Sequence, residues 1–380
     1  MAAVTWKCPN CGGGLQFAPQ SQDYECEYCM SHFTQAELDK IAAEEGEVQK
    51  VEGADAEEGA ASGIGDVEEV AETVGETVAD DAEQDGNSQP AALVYMCPSC
   101  GAEIVTDSTT AATFCFYCHN PIVLQGQLDG SYRPDYVLPF VVDKERAKEI
   151  FLQWLKKKKF VPTEFYSPGQ IEKLSGVYFP YWLYSCTVDG QMDAQGTKLR
   201  SWKSGNTQYT ETQVYDVSRS GQMQVDHVTR NALQKADKQL VEGVMPFDLK
   251  AVKPFSMGYL AGFFAEKRDM EQELFEGEVE TEVKEFALNS LRNSITGYSG
   301  VNVQNQVARL KDSRWEYALL PVWTLTYKSP TDGTIYYFAC NGQTGKICGK
   351  LPIDSKKLRM FFLKIFLPLF AALLVGGYLI

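Results

Sequence analysis

The spacing of the cysteines constrains this chain more than any other feature. Eight of its eleven cysteines form two sets, and each set spells C-x2-C-x14-C-x2-C, the second displaced from the first by 89 residues. Cys-Pro-x-Cys-Gly opens both sets. The chain therefore contains an internal repeat, whose cysteines are Cys8, Cys11, Cys26 and Cys29 in the first copy and Cys97, Cys100, Cys115 and Cys118 in the second.

Paired C-x2-C turns suit a tetrahedral metal ion. Each turn presents two thiolates, and the fourteen intervening residues can form a β-hairpin that brings the second pair opposite the first. We predict two small zinc ribbons, each holding one structural Zn2+ on four thiolates. A closed four-thiolate shell leaves no position for water or substrate, so the ions would fold their modules and not catalyse. Iron binding and disulfides are the alternatives that the spacing leaves open.

The second copy contains a stretch that resembles a different site. Residues 114–120, FCFYCHN, match the C-x-x-C-H pattern of covalent haem attachment. Cys97 and Cys100 stand fourteen residues upstream, however, and the same arrangement occurs at 8–29. We interpret the stretch as the second half of a zinc ribbon, with His119 as a bystander.

The net charge of −16 is concentrated in one segment. Residues 35–90 hold 18 Asp or Glu and two Lys, which is −16, so the other 324 residues sum to zero. Residues 46–90 contain no aromatic residue, and such a composition cannot bury enough apolar surface to offset the entropy of ordering. We predict a flexible acidic linker over 35–92, with short helical patterns inside it.

The ribbons are acidic as well. Residues 1–34 carry Lys7 against three acidic residues, and residues 91–127 carry two acidic residues and no Lys or Arg, so each sums to −2 before the thiolates contribute. Nucleic-acid affinity comes largely from basic side chains that neutralise phosphates. Nucleic acid is therefore disfavoured as a partner.

The last 21 residues, 360–380, contain one charge, Lys364. The pattern predicts a transmembrane helix, with a buried C-terminal core helix as the alternative. Basic residues just before the span, Lys356, Lys357 and Arg359, would hold the N-terminal bulk in the cytoplasm. We expect a single-pass protein of the cell membrane, in a compartment that keeps its cysteines reduced.

Residues 128–355 indicate mixed α and β structure. Helical spacing predicts one helix from Asp143 to about Lys159 and another at about 278–294. Each precedes a similar aromatic strand, VYFPYWLY or ALLPVWTLTY, which suggests two similar halves. The Asn-Gly step at Asn341 predicts a hairpin turn in preference to a binding loop.

Alternating residues predict antiparallel strands at Thr207–Val217 and Gln222–Val228. The predicted fold class is α+β: two small β zinc ribbons, a mixed α+β body and one C-terminal transmembrane helix. The expected segments are ribbon 1 (1–34), linker (35–92), ribbon 2 (93–127), body (128–355), and basic flank with membrane span (356–380).

No catalytic pattern stands out in the sequence of the body. The three histidines, His32, His119 and His227, are scattered, and no nucleophile elbow, P-loop or dinucleotide motif occurs. The remaining cysteines, Cys186, Cys340 and Cys348, lie in or beside apolar strands and are interpreted as core residues. We predict a non-enzyme without a small-molecule substrate. The basic run 156–159 is interpreted as a solvated helix end, with lipid contact as the alternative.

The ribbons together with four phrases of the body resemble a bacterial family. The phrases are YFPYWLY (178–184), FSMGYLAGFFAE (255–266), LLPVWTLTY (319–327) and NGQTGKICGKLP (341–352). The family is that of membrane-anchored, transcription factor IIB-type zinc-ribbon-containing proteins, and the resemblance covers most of the chain outside the acidic linker. Some members are encoded beside phage-shock protein A relatives and flotillin-like (SPFH) proteins, which implies recruitment of such partners to the membrane during envelope stress.

These observations lead to one expected function and one alternative. We expect a non-enzymatic, tail-anchored scaffold whose ribbons and body recruit protein partners, with membrane lipid as a further contact. The alternative is a membrane-tethered nucleic-acid-binding or transcription-related ribbon protein.

Overall fold

The computed structural model describes residues 3–4, 6–38, 40–41, 93–115, 118–330 and 333–379. Most of the predicted acidic linker, with its helical patterns after residue 41, lies outside these residues. Its first turn is described: residues 35–38 are helical, and Thr34 and Glu37 form a capping box in which the Thr34 N–H donates to Glu37 Oε2 at 2.7 Å.

Strands supply most of the regular structure. They are β1 (Ala3–Val4), β2 (Leu15–Ala18), β3 (Asp23–Cys26), β4 (His32–Phe33), β5 (Leu93–Met96), β6 (Glu103–Thr106), β7 (Thr110–Phe114), β8 (Pro121–Leu124), β9 (Tyr136–Val137), β10 (Ser175–Ser204), β11 (Thr207–Asn231), β12 (Lys253–Pro254), β13 (Phe264–Glu266), β14 (Gly300–Lys328), β15 (Ile335–Asn341) and β16 (Ile347–Lys350).

Eleven of these strands form one mixed sheet. Its main path runs β1-β8-β7-β13-β10-β14-β15-β16, with β11 on β10, β9 on β14 and β12 on β9. The pairs β10–β13 and β9–β14 are parallel and the others are antiparallel. The remaining strands form a three-stranded sheet (β2-β3-β4) and a two-stranded sheet (β5-β6). The sheet thus joins the cysteine-rich segments to the body.

The α-helices are α1 (Lys144–Lys156), α2 (Pro168–Ile171), α3 (Lys238–Gly243), α4 (Glu276–Asn293) and α5 (Ser355–Leu379). Asp143 caps α1 as predicted, accepting from the Arg146 N–H at 2.7 Å. The predicted second helix is confirmed as α4, and its Phe286 is 61% exposed. The predicted turn at Asn341 is confirmed, and it joins β15 to β16.

Three long strands, β10, β11 and β14, extend from the body as an arm, which we define as residues 186–204, 207–225 and 300–311. β10 lies in the middle, paired with β11 on one side and β14 on the other. Helix α4 covers one face of the arm near the body, where Val279, Val283 and Ala287 pack on Tyr184, Cys186 and Val188.

The main core lies between the sheet, α1 and the first cysteine-rich segment. Its aromatic centre is Phe140, which stacks on Phe263 at 4.3 Å between ring centroids and also contacts Tyr178 and Trp323. Leu15, Phe17 and Tyr24 of the first cysteine-rich segment belong to the same cluster. That segment therefore shares its hydrophobic core with the body.

The predicted fold class is wrong in two respects, and the first is the amount of sheet and the length of its strands. The described chain is mostly sheet, with 42% strand, and the two short strands predicted at 207–228 are one continuous strand, β11. Glycines inside the long strands do not break them. Leu291 and Tyr298 lie so close to Gly190 and Gly196 that an added Cβ would come within 2.7 and 2.5 Å of them, so these glycines make room for side chains.

The predicted transmembrane helix is the second correction. Across the described residues, no helix is long and apolar enough to cross a membrane. Helix α5 begins at Ser355, five residues before the predicted span, and so includes Lys356, Lys357, Arg359 and Lys364. All four of these basic residues lie within the first ten residues of the helix. The predicted single-pass localisation in the cell membrane is wrong on the same finding.

Candidate metal centres

The four C-x2-C turns share one backbone geometry. In each, the N–H of the residue after the second cysteine donates to the carbonyl of the first cysteine, at 2.8–2.9 Å; these bonds are Gly12 to Cys8, Met30 to Cys26, Gly101 to Cys97 and His119 to Cys115. All four donor residues have positive φ, between 56° and 75°. The turn therefore requires a left-handed residue directly after its second cysteine.

The same turns supply hydrogen bonds to sulfur. The residue two positions after the second cysteine donates its backbone N–H to that cysteine's sulfur; the donors are Gly13, Ser31, Ala102 and Asn120. Such donors favour the thiolate, which is the form that binds metal. In Cys11 the neighbouring thiols of Cys29 and Cys26 outweigh the donor, and in Cys118 burial does, so the pKa of each is raised to about 12. In the second turn of ribbon 1, the Ser31 hydroxyl, 3.2 Å from the sulfur, and the Ser31 N–H lower the pKa of Cys29 to about 6.

Each cysteine set converges on one point. Residues 8–29 and 97–118 form the two groups in the described chain that could hold a metal ion, and within each group the four sulfurs lie within 4.8 Å of one another. The closest cross-turn distances are 3.6 Å for Cys8–Cys29 and 3.5 Å for Cys11–Cys26. In the second set they are 3.6 Å for Cys97–Cys118 and 3.7 Å for Cys100–Cys115.

These distances fit a four-coordinate ion. Two sulfurs at 2.3 Å from a central Zn2+ would be about 3.8 Å apart at the tetrahedral angle, whereas a disulfide would bring them to about 2.05 Å. The sequence-predicted ligands are thus all brought together, and the disulfide alternative does not match. The first cysteine of each turn is buried, whereas the second is exposed or, for Cys118, half-buried, so each ion would sit at the edge of its module.

Ribbon 1 is held against the body by its hairpin. Phe17 is 3% exposed and makes edge-on contacts with the rings of Tyr24 and Tyr259, at 5.7 and 5.2 Å between centroids. Its N–H donates to the Ala261 carbonyl at 2.9 Å. Gln22 adds a neutral hydrogen bond, from Nε2 to the Phe140 carbonyl, at 2.7 Å.

Ribbon 2 is held mainly by strand pairing. Its hairpin strand β7 pairs with β13 of the body, and β8 pairs with β1. A charged contact reinforces the first pair: Lys235 Nζ lies 2.7 Å from Asp107 Oδ2 and 2.8 Å from Glu266 Oε2. Partial burial raises the pKa of Asp107, but hydrogen bonds from Lys235, Thr110 and Thr109 outweigh it and hold that pKa well below its usual range.

The two ribbons lie side by side. A cleft of about 410 Å³ runs between their first turns, lined by residues that include Lys7, Tyr28, Pro98 and Asn120. The Tyr28 ring covers Gly13, where an added Cβ would come within 2.5 Å of it. The sequence offered no signal for this neighbouring arrangement.

The other sequence candidates lie away from the cysteine groups. His119 is confirmed outside the ligand set, as the left-handed residue of its turn. His32 Nδ1 lies 3.3 Å from Asp23 Oδ2, and His227 Nε2 lies 3.8 Å from Glu316 Oε2. Cys186 and Cys340 are buried as predicted, and burial raises the pKa of the Cys340 thiol to about 12. Cys348 is half-buried, and its sulfur donates to the Gln239 carbonyl.

Sequence reasoning missed the left-handed positions. Aligning the four turns with one another places Gly12, Met30, Gly101 and His119 in one column, and the two glycines in that column were the available signal. It also missed the contact between Asp107 and Lys235, which are 128 residues apart.

Comparison with known proteins gives a relative without an assigned role. The chain is similar to the uncharacterized protein YdjG of Bacillus subtilis (strain 168), at 27% identity over 339 residues, with 75% of this chain and 99% of YdjG covered. No model of a known protein family matches the chain, and no solved structure gives a significant match. The resemblance to the zinc-ribbon family therefore stays a prediction.

Proposed function

We propose that this protein is a non-enzymatic scaffold in which two zinc-stabilised ribbons, docked on a β-sheet body, present a binding surface for another protein. The outer face of the β5–β6 hairpin of ribbon 2 carries the proposal. Val94, Met96 and Val105 are 61%, 65% and 59% exposed, although each is a large apolar side chain. Val94 and Val105 are direct cross-strand partners, so the three side chains form one patch.

The inner face of the same hairpin is already used. Tyr95 and Ile104 are buried in the small core of ribbon 2, and the Tyr95 hydroxyl accepts a hydrogen bond from Gln127 Nε2 at 2.7 Å. The hairpin is thus fixed by its inner face, which leaves the outer patch free for recognition. A fixed apolar patch loses little entropy on binding.

The negative charge of ribbon 2 limits the kind of partner that can bind the patch. Glu103 lies beside Met96 on the patch, and residues 91–127 contain no Lys or Arg. Four thiolates around Zn2+ would add two further negative charges. We propose a protein partner that offers apolar side chains flanked by Lys or Arg; this charge disfavours nucleic acid.

Zinc has a structural role in this proposal. Four sulfurs fill the tetrahedral shell, which leaves no open position for a substrate, so binding energy would go into holding each pair of turns together. Proteins related to phage-shock protein A and to flotillins, which the family resemblance implies, are the first partners to assay.

Site-specific photo-crosslinking tests the proposal. A benzoylphenylalanine at Val94 in the full chain should crosslink a defined protein in cells, whereas one at Ile335, which is 60% exposed on β15, should not. The purified partner should then bind wild type and lose at least tenfold in affinity for the Val94→Asp, Val105→Asp double variant, with Ile335→Asp as the matched control.

Two results would contradict the proposal. The first is equal crosslinking from both positions. The second is binding of single- or double-stranded oligonucleotides by the full chain with a steep salt dependence, which would favour the nucleic-acid alternative. Metal analysis of the same preparations should give two zinc ions per chain; iron would overturn the assignment of the metal.

A further inference from the structure

The outer edge of β11 is long and regular. Among the described strands, β11 pairs with β10 alone. From 208 to 225 this edge contains no Lys and no Pro, its charged residues are Glu211, Asp216 and Arg219, and its pairing with β10 is regular up to the irregularity near His227. Proteins usually protect a free edge with bulges, Pro or charged side chains, Lys above all, because a long regular edge can pair with another strand.

The opposite edge of the arm has a Lys and an irregular pairing, which β11 lacks over the corresponding residues. Over 300–311, β14 carries Arg309 and Lys311, and its pairing with β10 shifts register between Asp193 and Ala194 and again beyond Thr187. Asp312 there has positive φ. The contrast between two edges of one sheet indicates that β11 has a partner strand.

We propose that the partner is β11 of a second copy of this chain, so that two arms join into one continuous antiparallel sheet. A two-fold axis normal to the sheet pairs each residue with another on the same face. On the segment before the irregularity, Glu211 and Arg219 are the two oppositely charged residues that share a face. Pairing them places Tyr215 opposite Tyr215 of the second copy.

This register uses nearly the whole regular edge. Tyr215 at the centre makes Thr207 the partner of Met223, and Glu211 meets Arg219 twice by symmetry. Tyr215 is exposed, and so is Val214 on the other face. The pairing would therefore cover an apolar and an aromatic side chain on each copy while joining two pairs of opposite charges.

The helices leave room for this assembly. Helix α4 packs on both β10 and β11, where Leu291 lies against Gly190 and Gly221. The two-fold at Tyr215 would place the two Gly221 positions twelve residues apart along the strands, about 40 Å. Packed helices need about 8–10 Å between axes. The partner's body would lie beyond the Gly205–Asn206 loop of the first copy, so the two bodies would not collide.

Sedimentation of the full chain tests the dimer. Wild type should sediment as a dimer at micromolar concentration, and Arg219→Glu should weaken dimerisation roughly ten- to a hundredfold, because it places two pairs of like charges in contact. Adding Glu211→Arg to that variant should restore the dimer. Arg309→Glu makes the same charge change on the β14 edge and should leave the dimer intact.

Cysteine crosslinking tests the register. In Tyr215→Cys the two new cysteines would have Cα atoms about 4.5–5.5 Å apart, within reach of a disulfide, so mild oxidation should give a covalent dimer. In Gln213→Cys they would be four residues apart along the strands, about 13 Å, and should not join. Wild type reports the background of the native cysteines.

Three outcomes would overturn the proposal. The first is a wild type that stays monomeric at concentrations up to 50-fold above about 1 μM. The others are a double variant that does not regain the dimer, and equal crosslinking at positions 213 and 215. A partner strand from a different protein would give the first of these. Unchanged circular dichroism and metal content identify variants that remain folded.

Discussion

The two ribbons have the same cysteine spacing and the same arrangement of four sulfur atoms, yet they attach to the rest of the protein differently. Ribbon 1 has a three-stranded sheet of its own, adds only the two-residue strand β1 to the edge of the main sheet, and inserts side chains such as Phe17 and Tyr24 into the main core. Ribbon 2 has a separate small core and continues into the main sheet through β7 and β8. The metal-binding turn is thus set by a few local residues, and the attachment is set by the hairpin between the turns.

Removing one metal site should have the largest effect and should separate the two modes of attachment. In Cys8→Ser, Cys11→Ser the metal content should fall from two ions per chain to one, and residues 6–38 should lose protection from hydrogen exchange. The reason is that structural zinc contributes on the order of 10 kcal/mol to folding its module. In Cys97→Ser, Cys100→Ser the loss of protection should extend through β7 and β8 to β1, because β7 pairs with β8 and β8 pairs with β1.

Exchange in the body controls for general unfolding. Strand β10 should keep its protection in the first variant, and the second should lose protection first where β13 meets β7. Identical exchange patterns in the two variants would show that the ribbons are not attached differently.

The next largest effect should come from Phe17. Phe17→Ala removes a side chain that is 3% exposed and in contact with two aromatic rings, so the free energy of unfolding should fall by about 3–5 kcal/mol. Val94→Ala, on the exposed face of ribbon 2, should change it by less than about 0.5 kcal/mol. Denaturant titration of both variants with metal bound measures this, and equal losses would contradict the docking of ribbon 1 through Phe17.

A smaller effect is expected where the two ribbons are alike. Gly12→Ala and Gly101→Ala should each cost about 1 kcal/mol, because their φ values of 73° and 75° suit glycine and nothing lies within 4 Å of an added Cβ, which leaves backbone strain as the cost. Met30→Gly and His119→Gly should be neutral or slightly stabilising, since these residues already carry that strain.

For both pairs of variants, thermal melts measure stability and competition with a zinc chelator measures metal affinity. A loss of metal affinity in His119→Gly comparable to that of a cysteine variant would contradict the assignment of His119 as a turn residue and return it to the ligand set.

The sequence predicted the features that depend on local residues and missed those that depend on contacts between distant residues. The eight sulfur ligands, the Asp143 cap and the turn at Asn341 depend on neighbours within a few residues, and the sequence predicted them. The sheet of the body depends on contacts between distant residues, such as Leu291 against Gly190, which allow β10 and β11 to continue past glycines that locally indicate breaks. Apolar composition alone could not place the start of α5 at Ser355.

The smallest predicted effect concerns the charge that secures ribbon 2. Asp107→Asn keeps a side-chain oxygen for the N–H groups of Thr109 and Thr110 but removes the charge that faces Lys235. Asp107 is more than a third exposed, so the cost at pH 7 should be only about 0.5–1 kcal/mol. Because the pKa of Asp107 is lowered in the folded state, its contribution is complete above its unfolded value of about 3.9 and is lost as the pH falls through the folded value.

The stability difference between wild type and Asp107→Asn should therefore be constant from pH 7 to about 5 and shrink below pH 4. Proton-driven loss of metal affects both proteins and cancels in the difference. Gln22→Leu is the counterpart in ribbon 1: it removes a neutral hydrogen bond to the Phe140 carbonyl, so its difference from wild type should not vary with pH. A difference for Asp107→Asn that is equally independent of pH would mean that Lys235 and Asp107 contribute packing alone, and that both ribbons are held without charge.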